Sequence, residues 1–331
     1  MIDDRYLGVR YTPRGAKRGH VESYFLKAND AEGRRAIWIK ATILAPAGGA
    51  SSAVAEAWAI AFDRDTDHVA VKSTVPFAEA RFAEGALDVE VAGCTWEPGR
   101  ARGSVATDGR SVAWDLAFEP VGRPLFHYPH ARMYEGAFPT TKLVSPWPDV
   151  RVSGRVTVDG EAWTLDAWPG MLGHNWGARH THLYAWGHCN AWEDGVDDFV
   201  FEGASARVKV GPLVAPMSTL LCVRHRGVRY DLNAVTDIVR NHGDISLRRW
   251  RFGGANGVVR VEGEMWAETD RFVGLFYENP SGPKTYCLNT KLAHAKITVE
   301  ERGRAPVVLR SRAAALEIAT HDEHHGVRMR V

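Results

Sequence analysis

GMLGHNWGARHTHLYAWGHCNAW, residues 170–192, is the stretch whose reading decides the fold. Its first part sets Gly170, Gly173 and Gly177 around His174, Asn175 and Trp176. Glycines spaced in this way predict a turn, where a side chain would block positive φ or close backbone approach. The second part has period two: His180, His182, Tyr184, Trp186, His188, Asn190 and Trp192 alternate with Thr181, Leu183, Ala185, Gly187, Cys189 and Ala191. A strand over these residues has one polar-aromatic face and one small or apolar face. The apolar face suits a core. The other is too polar for a core and too aromatic for plain solvent contact, so it is either the wall of a pocket or a solvated face whose Trp and Tyr cover a neighbouring loop.

Outward from this stretch the pattern is all-β. Upstream, 150–158 and 162–167 flank Asp159-Gly160, the clearest hairpin in the chain, and deliver Asp166 to the mouth of the opening stretch. Downstream, Glu193-Asp194-Gly195 turns the chain into a hairpin over 197–210 that carries Glu202, and short strands continue to residue 309. Toward the N-terminus, 21–27 (VESYFLK) and 36–44 (AIWIKATIL) read as a hairpin, with Glu22 and Tyr24 on the first strand. A carboxylate at Glu22 is paired or raised in pKa if that strand is buried, and solvated if it lies at an edge. Residues 77–83 and 313–319 are the two segments with helical character. Residues 121–149 hold five prolines among aromatics and predict a long connection, with His127, Tyr128, His130 and Tyr134 as further site candidates. The expected architecture is therefore two antiparallel barrels or sandwiches with few short helices, residues 1–179 and 180–331, joined near Arg179.

Composition bounds the partners. With 331 residues, 45% hydrophobic and 24% charged, the chain suits two ordinary domains, and it has no apolar run long enough to span a bilayer. A formal charge of +1 gives no pull toward nucleic acid and none toward stable membrane insertion, leaving only transient membrane contact. The start, MIDDRYLGVRY, shows no basic and apolar leader, so the expected compartment is the cytoplasm. Cys94, Cys189, Cys222 and Cys287 form no CxxC pair and read as reduced packing residues. Six of the twelve tryptophans fall between Trp147 and Trp192, which marks the middle of the chain as the site. Oligomeric state is not legible.

Gly170-x-x-Gly173-His174-Asn175-Trp176-Gly177, followed by a strand with Tyr184, Trp186, Cys189 and Asn190, resembles the carotenoid 1,2-hydratase and tocopherol cyclase superfamily, and so does the opening Val21-Glu22-Ser23-Tyr24-Phe25-Leu26-Lys27. The resemblance implies tandem lipocalin-like β-barrels with a ligand cleft at or between them. It also implies action on a hydrophobic isoprenoid or polyketide, without a cofactor, by alkene protonation, hydration, cyclisation or isomerisation. Where hydratases of that family carry a Tyr and an Asp, this chain reads Phe199-Val200-Phe201-Glu202-Gly203, which departs from the hydration pattern.

Protonating an alkene needs a carboxylic acid kept neutral by a dry pocket, and the resulting cation needs π-faces around it. Asp166 and Glu22 are the candidate acids, with Glu202 as a substitute and His174 as a proton acceptor. Tyr24, Asn175, Trp176, His180, His182, Tyr184, Trp186, His188 and Trp192 are the expected substrate contacts. Two rivals stand beside this. His180, His182 and His188 share a face, but strand geometry puts His188 roughly 20 Å beyond the others, so no metal is expected. A lipocalin-like carrier would use the same aromatic pocket without chemistry. A GxSxG elbow, a GxGxxG turn and a P-loop are all absent from the sequence, which argues against hydrolase and nucleotide chemistry.

Overall fold

The computed structural model describes residues 6–12, 18–49, 52–196, 198–210 and 213–331. Residues 1–5, read above for a leader, and Asp197, at the start of the expected 197–210 segment, lie outside them. Two large curled antiparallel sheets dominate the molecule, one holding strands from His20–Asn29 to Glu161–Gly177, the other from Leu183–Cys189 to Val307–Thr320, beside a small two-stranded sheet of Lys209–Val210 and Leu213–Val214. They are laid out alike. In the first, His20–Asn29 lies between Arg35–Ala45 and Glu161–Gly177; in the second, Leu183–Cys189 lies between Phe199–Arg207 and Val307–Thr320. Each half therefore begins beside the strand on which it ends. The first sheet curls far enough for the Thr107 hydroxyl to donate to the Lys72 carbonyl at 2.8 Å, from a strand that is not its neighbour in the sheet. Among the described residues no helix is long and apolar enough to cross a membrane.

Alternation along the first strand sends Tyr24, Leu26 and Ala28 into the first sheet's own core, with Ile37, Ile39 and Ala41. Phe25 points the other way, joining Trp38 and Trp58 in a layer shared with Trp186, Leu275 and Tyr277 of the second half. Val21 through Asn29 are consequently all buried. An antiparallel sheet usually leaves one face to water; here the second sheet covers it. The period-two reading of residues 180–192 fits this arrangement, although the regular strand is shorter, Leu183–Cys189. Ala185 and Cys189 pack on Phe201, Trp250 and Phe252 inside the second sheet, and Trp186 faces the first.

Three expectations are corrected. Residues 170–177 are not a turn: Glu161–Gly177 is one strand, paired along the segment with His20–Asn29 and Thr141–Val158. Glycine serves close approach there, since a Cβ on Gly173 would stand 2.2 Å from Cζ of the Phe25 ring. Residues 313–319 belong to Val307–Thr320, where pairing with Thr285–Glu301 overrides the helical preference of alanine. Of 77–83, Phe77–Glu79 is one 3-10 turn and Arg81–Phe82 is already strand. The proline-rich connection also ends earlier than its composition implies. Pro146 and Pro148 lie inside Thr141–Val158, whose register shifts between Val144 and Trp147 and again between Trp147 and Val150.

Burying both faces also buries cations. Lys27 donates to Asn29 Oδ1 at 2.9 Å and to Asn190 Oδ1 at 3.2 Å, and burial pulls its ammonium down to about 8. Asn190 in turn donates to Asp149 Oδ1 and to the Gly170 carbonyl, both at 2.8 Å, so one side chain ties the two halves together. Asn190→Ala leaves Lys27 and Asp149 each short of a partner and is expected to lower the unfolding free energy by roughly 2–4 kcal/mol. Lys27→Met combined with Asn190→Leu should cost less than the two changes summed. Urea unfolding measures both, and an Asn190→Ala variant within about 0.5 kcal/mol of the parent would remove this tie from the account.

Candidate functional site

The sheets touch along their first strands, where the Phe25 and Trp186 rings meet edge to face at 5.8 Å, and they part beside that contact around a cavity of about 350 Å³. Phe25, Trp38 and Lys40 line it from the first sheet; Tyr184, Trp186 and Tyr277 line it from the second half. Its rim is apolar and open to water, with Phe138, Val235 and Val239 exposed by 65%, 57% and 76%. A cavity of this size and lining suits a small apolar molecule.

Its floor is polar. Glu317 accepts from Lys291 Nζ at 2.9 Å and from Asn289 Nδ2 at 2.8 Å. Lys40 Nζ stands 4.2 Å from the centroid of the Tyr277 ring and within 5.5 Å of those of Trp38 and Trp58. Burial pulls this ammonium down to about 8 against the opposing charge of Glu317. His180 stacks on Tyr277 at 4.7 Å, and burial together with Lys40 brings it down to about 3, so it is neutral. Burial drives the Tyr184 and Tyr277 hydroxyls up.

Behind the wall lies Glu202, fully buried. Trp186 Nε1–H donates to its Oε1 at 3.0 Å, Ser145 Oγ–H donates to the same oxygen at 2.8 Å, and His127 Nε2 lies 3.0 Å away. Burial raises this carboxyl, but His127, His188 and the Ser145 hydrogen bond overcome it and bring it to about 2. The indole of the cavity wall therefore rests against a carboxylate.

Of the residues expected at the site, Asn175, His180, Tyr184 and Trp186 line the cavity and Glu202 supports it. Tyr128, from the proline-rich connection, joins them. Glu22, Tyr24, His174 and Trp176 do not, because strand alternation turns them to the opposite side from Asn175. Glu22 accepts from His174 Nε2 at 2.9 Å, from His20 Nε2 at 2.8 Å and from the backbone N–H groups of Arg10 and Tyr11 at 2.8 Å. His174 Nδ1 faces the Tyr6 carbonyl at 2.8 Å, and Tyr24 stacks on the imidazole at 4.1 Å. Trp176 carries the Arg10 guanidinium 5.1 Å from its centroid. This cluster latches the N-terminal segment to the first sheet. Burial raises Glu22, but His174 and His20 outweigh it and hold the carboxyl at about 2, so it is ionised rather than a stored acid.

Asp166 is exposed, inside the strand Glu161–Gly177, and does not line the cavity. His182 stacks on His321 in a neighbouring surface cleft, His188 donates through Nε2–H to the Pro148 carbonyl at 2.7 Å, and Trp192 Nε1–H donates to the Phe199 carbonyl at 2.7 Å within the second core. Among the described residues no three His, Cys, Asp or Glu side chains converge on a metal position. Lys40, Tyr277 and Glu317 are among the cavity residues that sequence reasoning missed. Lys40 in AIWIKATIL and Glu317 in AAALEIA are single charges in apolar strands, the signal that singled out Glu22.

The tocopherol cyclase-like family model matches residues 98–320. An uncharacterized protein of Mycobacterium tuberculosis, Rv0493c in strain H37Rv, is 26% identical over 91% of this chain and 89% of its own length. Among solved structures, kievitone hydratase from Nectria haematococca superimposes with a TM-score of 0.53 at 11% identity, covering 91% of this chain and 89% of that one. CghA, solved with Sch210972, gives 0.57 at 11% identity over 96% of both chains. The shared architecture is the lipocalin-like all-β fold.

The Glu22 cluster sets a pH dependence. Its carboxyl lies near 4.5 when unfolded and at about 2 when folded, so its stabilisation is complete above about 4.5 and disappears as pH falls toward 2. That amounts to on the order of 3 kcal/mol. Glu22→Gln is expected to be less stable than the parent at pH 6 and to lose about one proton's worth of slope, roughly 1.4 kcal/mol per pH unit, between those limits. Denaturant titrations across that range check it; parallel stability curves for parent and variant would contradict the ion pair.

Proposed function

The chain belongs to the tocopherol cyclase-like family, and on that footing we propose that it is an enzyme that holds an unsaturated isoprenoid or polyketide between its sheets and transforms it there without a redox cofactor. The single observation behind this is the apolar cavity whose wall tryptophan, Trp186, is hydrogen-bonded to a buried, ionised Glu202. A carboxylate accepting from the indole N–H raises the electron density of the ring face, and that face stabilises positive charge developing on a bound chain. Glu202 stays behind the ring, where it polarises without being placed to trap the cation as a nucleophile.

Within the family's range of reactions, ring closure or isomerisation of a chain already polarised by a carbonyl fits best. Glu22 and Glu202 are both ionised, and Glu317 is held by Lys291, so the buried carboxyls named above do not offer the strong acid that protonating an isolated alkene demands. Phe25, Tyr184 and Trp186 shape the chain, and Asn175 supplies a side-chain amide to orient it. The same ionised carboxylates also favour a second reading, a carrier that delivers its ligand unchanged.

Incubation with polyene isoprenoids and polyketides, followed by extraction, chromatography against the starting compound and mass spectrometry, separates the two. An isomer or a product heavier by one water supports the enzyme; ligand recovered unchanged from a tight complex supports the carrier. For the enzyme, Trp186→Ala is expected to slow conversion about tenfold or more while Trp186→Phe keeps most of it, and Glu202→Gln to slow it severalfold. Undiminished turnover in Trp186→Ala would overturn the role of the wall.

A further inference from the structure

We propose that Lys40 anchors an ionisable oxygen of the cavity's ligand, so that the molecule bound between the sheets is an apolar chain bearing a carboxylate or enolate at the end that reaches the floor. This rests on the cavity being the ligand site, as proposed above.

Among the described residues, Lys27, Lys40, Lys142 and Lys291 are the buried lysines. Each of the others has two acceptors: Lys27 has Asn29 and Asn190, Lys142 the Gly136 and Pro139 carbonyls, and Lys291 has Asn289 and Glu317. Lys40 is 3% exposed and meets only the rings of Trp38, Trp58 and Tyr277; among the described residues no hydrogen-bond acceptor or carboxylate lies within bonding reach of its Nζ. Three π-faces hold a cation but leave its N–H donors unused, a cost that an incoming oxygen anion removes. The charged and titratable groups around it are already engaged. Glu56 and Lys72, on neighbouring strands of the same sheet, pair with each other at 3.3 Å. From the second half, Glu317 is taken by Lys291, Tyr277 presents its ring, His180 is neutral, and burial keeps the Cys287 thiol protonated. Lys40 sits at about 8 in the empty cavity, so at neutral pH most molecules present an ammonium, and a bound anion raises it further. The apolar rim at Phe138 and Val239 then receives the tail.

Dodecanoate and 1-dodecanol, which share a chain and differ in the terminal oxygen, test this by calorimetric titration of the intact protein. At neutral pH the acid is expected to bind at least about tenfold tighter than the alcohol. Lys40→Met should bring the acid down to the alcohol's affinity and leave the alcohol within about twofold. In parent protein carrying 13C at the lysine ε-carbon, two resonances, those of Lys27 and Lys40, should titrate near 8, and one of them should move upward with dodecanoate but not with dodecanol; this reading does not depend on the variant folding. Equal affinities in the parent, a preference that survives Lys40→Met, or lysine resonances indifferent to the acid would each overturn the anchor. If the alcohol binds and the acid binds no better, only the anchor fails; if neither binds, the cavity as a ligand site fails with it.

Discussion

Everything in this molecule follows from burying the first strand of each half on both faces. A curled antiparallel sheet is stable with one face on its own core and the other in water. Here the outer face of His20–Asn29 and its neighbours meets the outer face of Leu183–Cys189 and its neighbours. That contact accounts for the tryptophans: Trp38, Trp58 and Trp186 fill the layer between two convex surfaces, where large flat rings remove the most area from water. It also accounts for Lys27 and Lys291, whose ammonium groups lose water when the halves close and find acceptors in protein, and for Lys40, which meets ring faces instead.

Two convex faces cannot touch everywhere. They meet along Phe25 and Trp186 and diverge to the side, where the chain fills the gap only in part. The connection through Tyr128, Phe138 and Pro139 comes in from the first half and the short helix Val235–Arg240 from the second. The space left between them is the cavity. Its apolar walls come from packing residues, and its polar floor comes from charges that the sheet contact had already dehydrated. A site with both characters needs no dedicated domain; it is the remainder of an imperfect fit.

Much of this was legible in the sequence. The Asp159-Gly160 hairpin, the hairpin of the first two strands and the alternation of Tyr184, Trp186 and His188 against Ala185, Gly187 and Cys189 are local patterns, and local patterns are what a sequence displays. Non-local facts were harder. A glycine signals either a turn or a close approach, and only the Phe25 ring lying over Gly173 decides between them. A turn keeps His174, Asn175 and Trp176 together, whereas the strand that these residues form turns Asn175 to the cavity and His174 and Trp176 away from it. Asp166 and Glu22 looked alike as acids because exposure depends on what covers a strand. One lysine in an apolar strand is equally compatible with an exposed edge, and only the second half lying against Lys40 shows that it is buried.

The duplicated layout has a thermodynamic consequence. The floor is composite: Lys40 comes from one half, Tyr277 and Glu317 from the other, and neither half alone encloses the space. A molecule that touches both therefore binds the docked arrangement in preference to a parted one. By linkage, the free energy with which docking favours the ligand equals that with which the ligand favours docking. An occupant of that cavity would thus be a structural cross-piece as well as a guest, with the two halves as the jaws of one clamp.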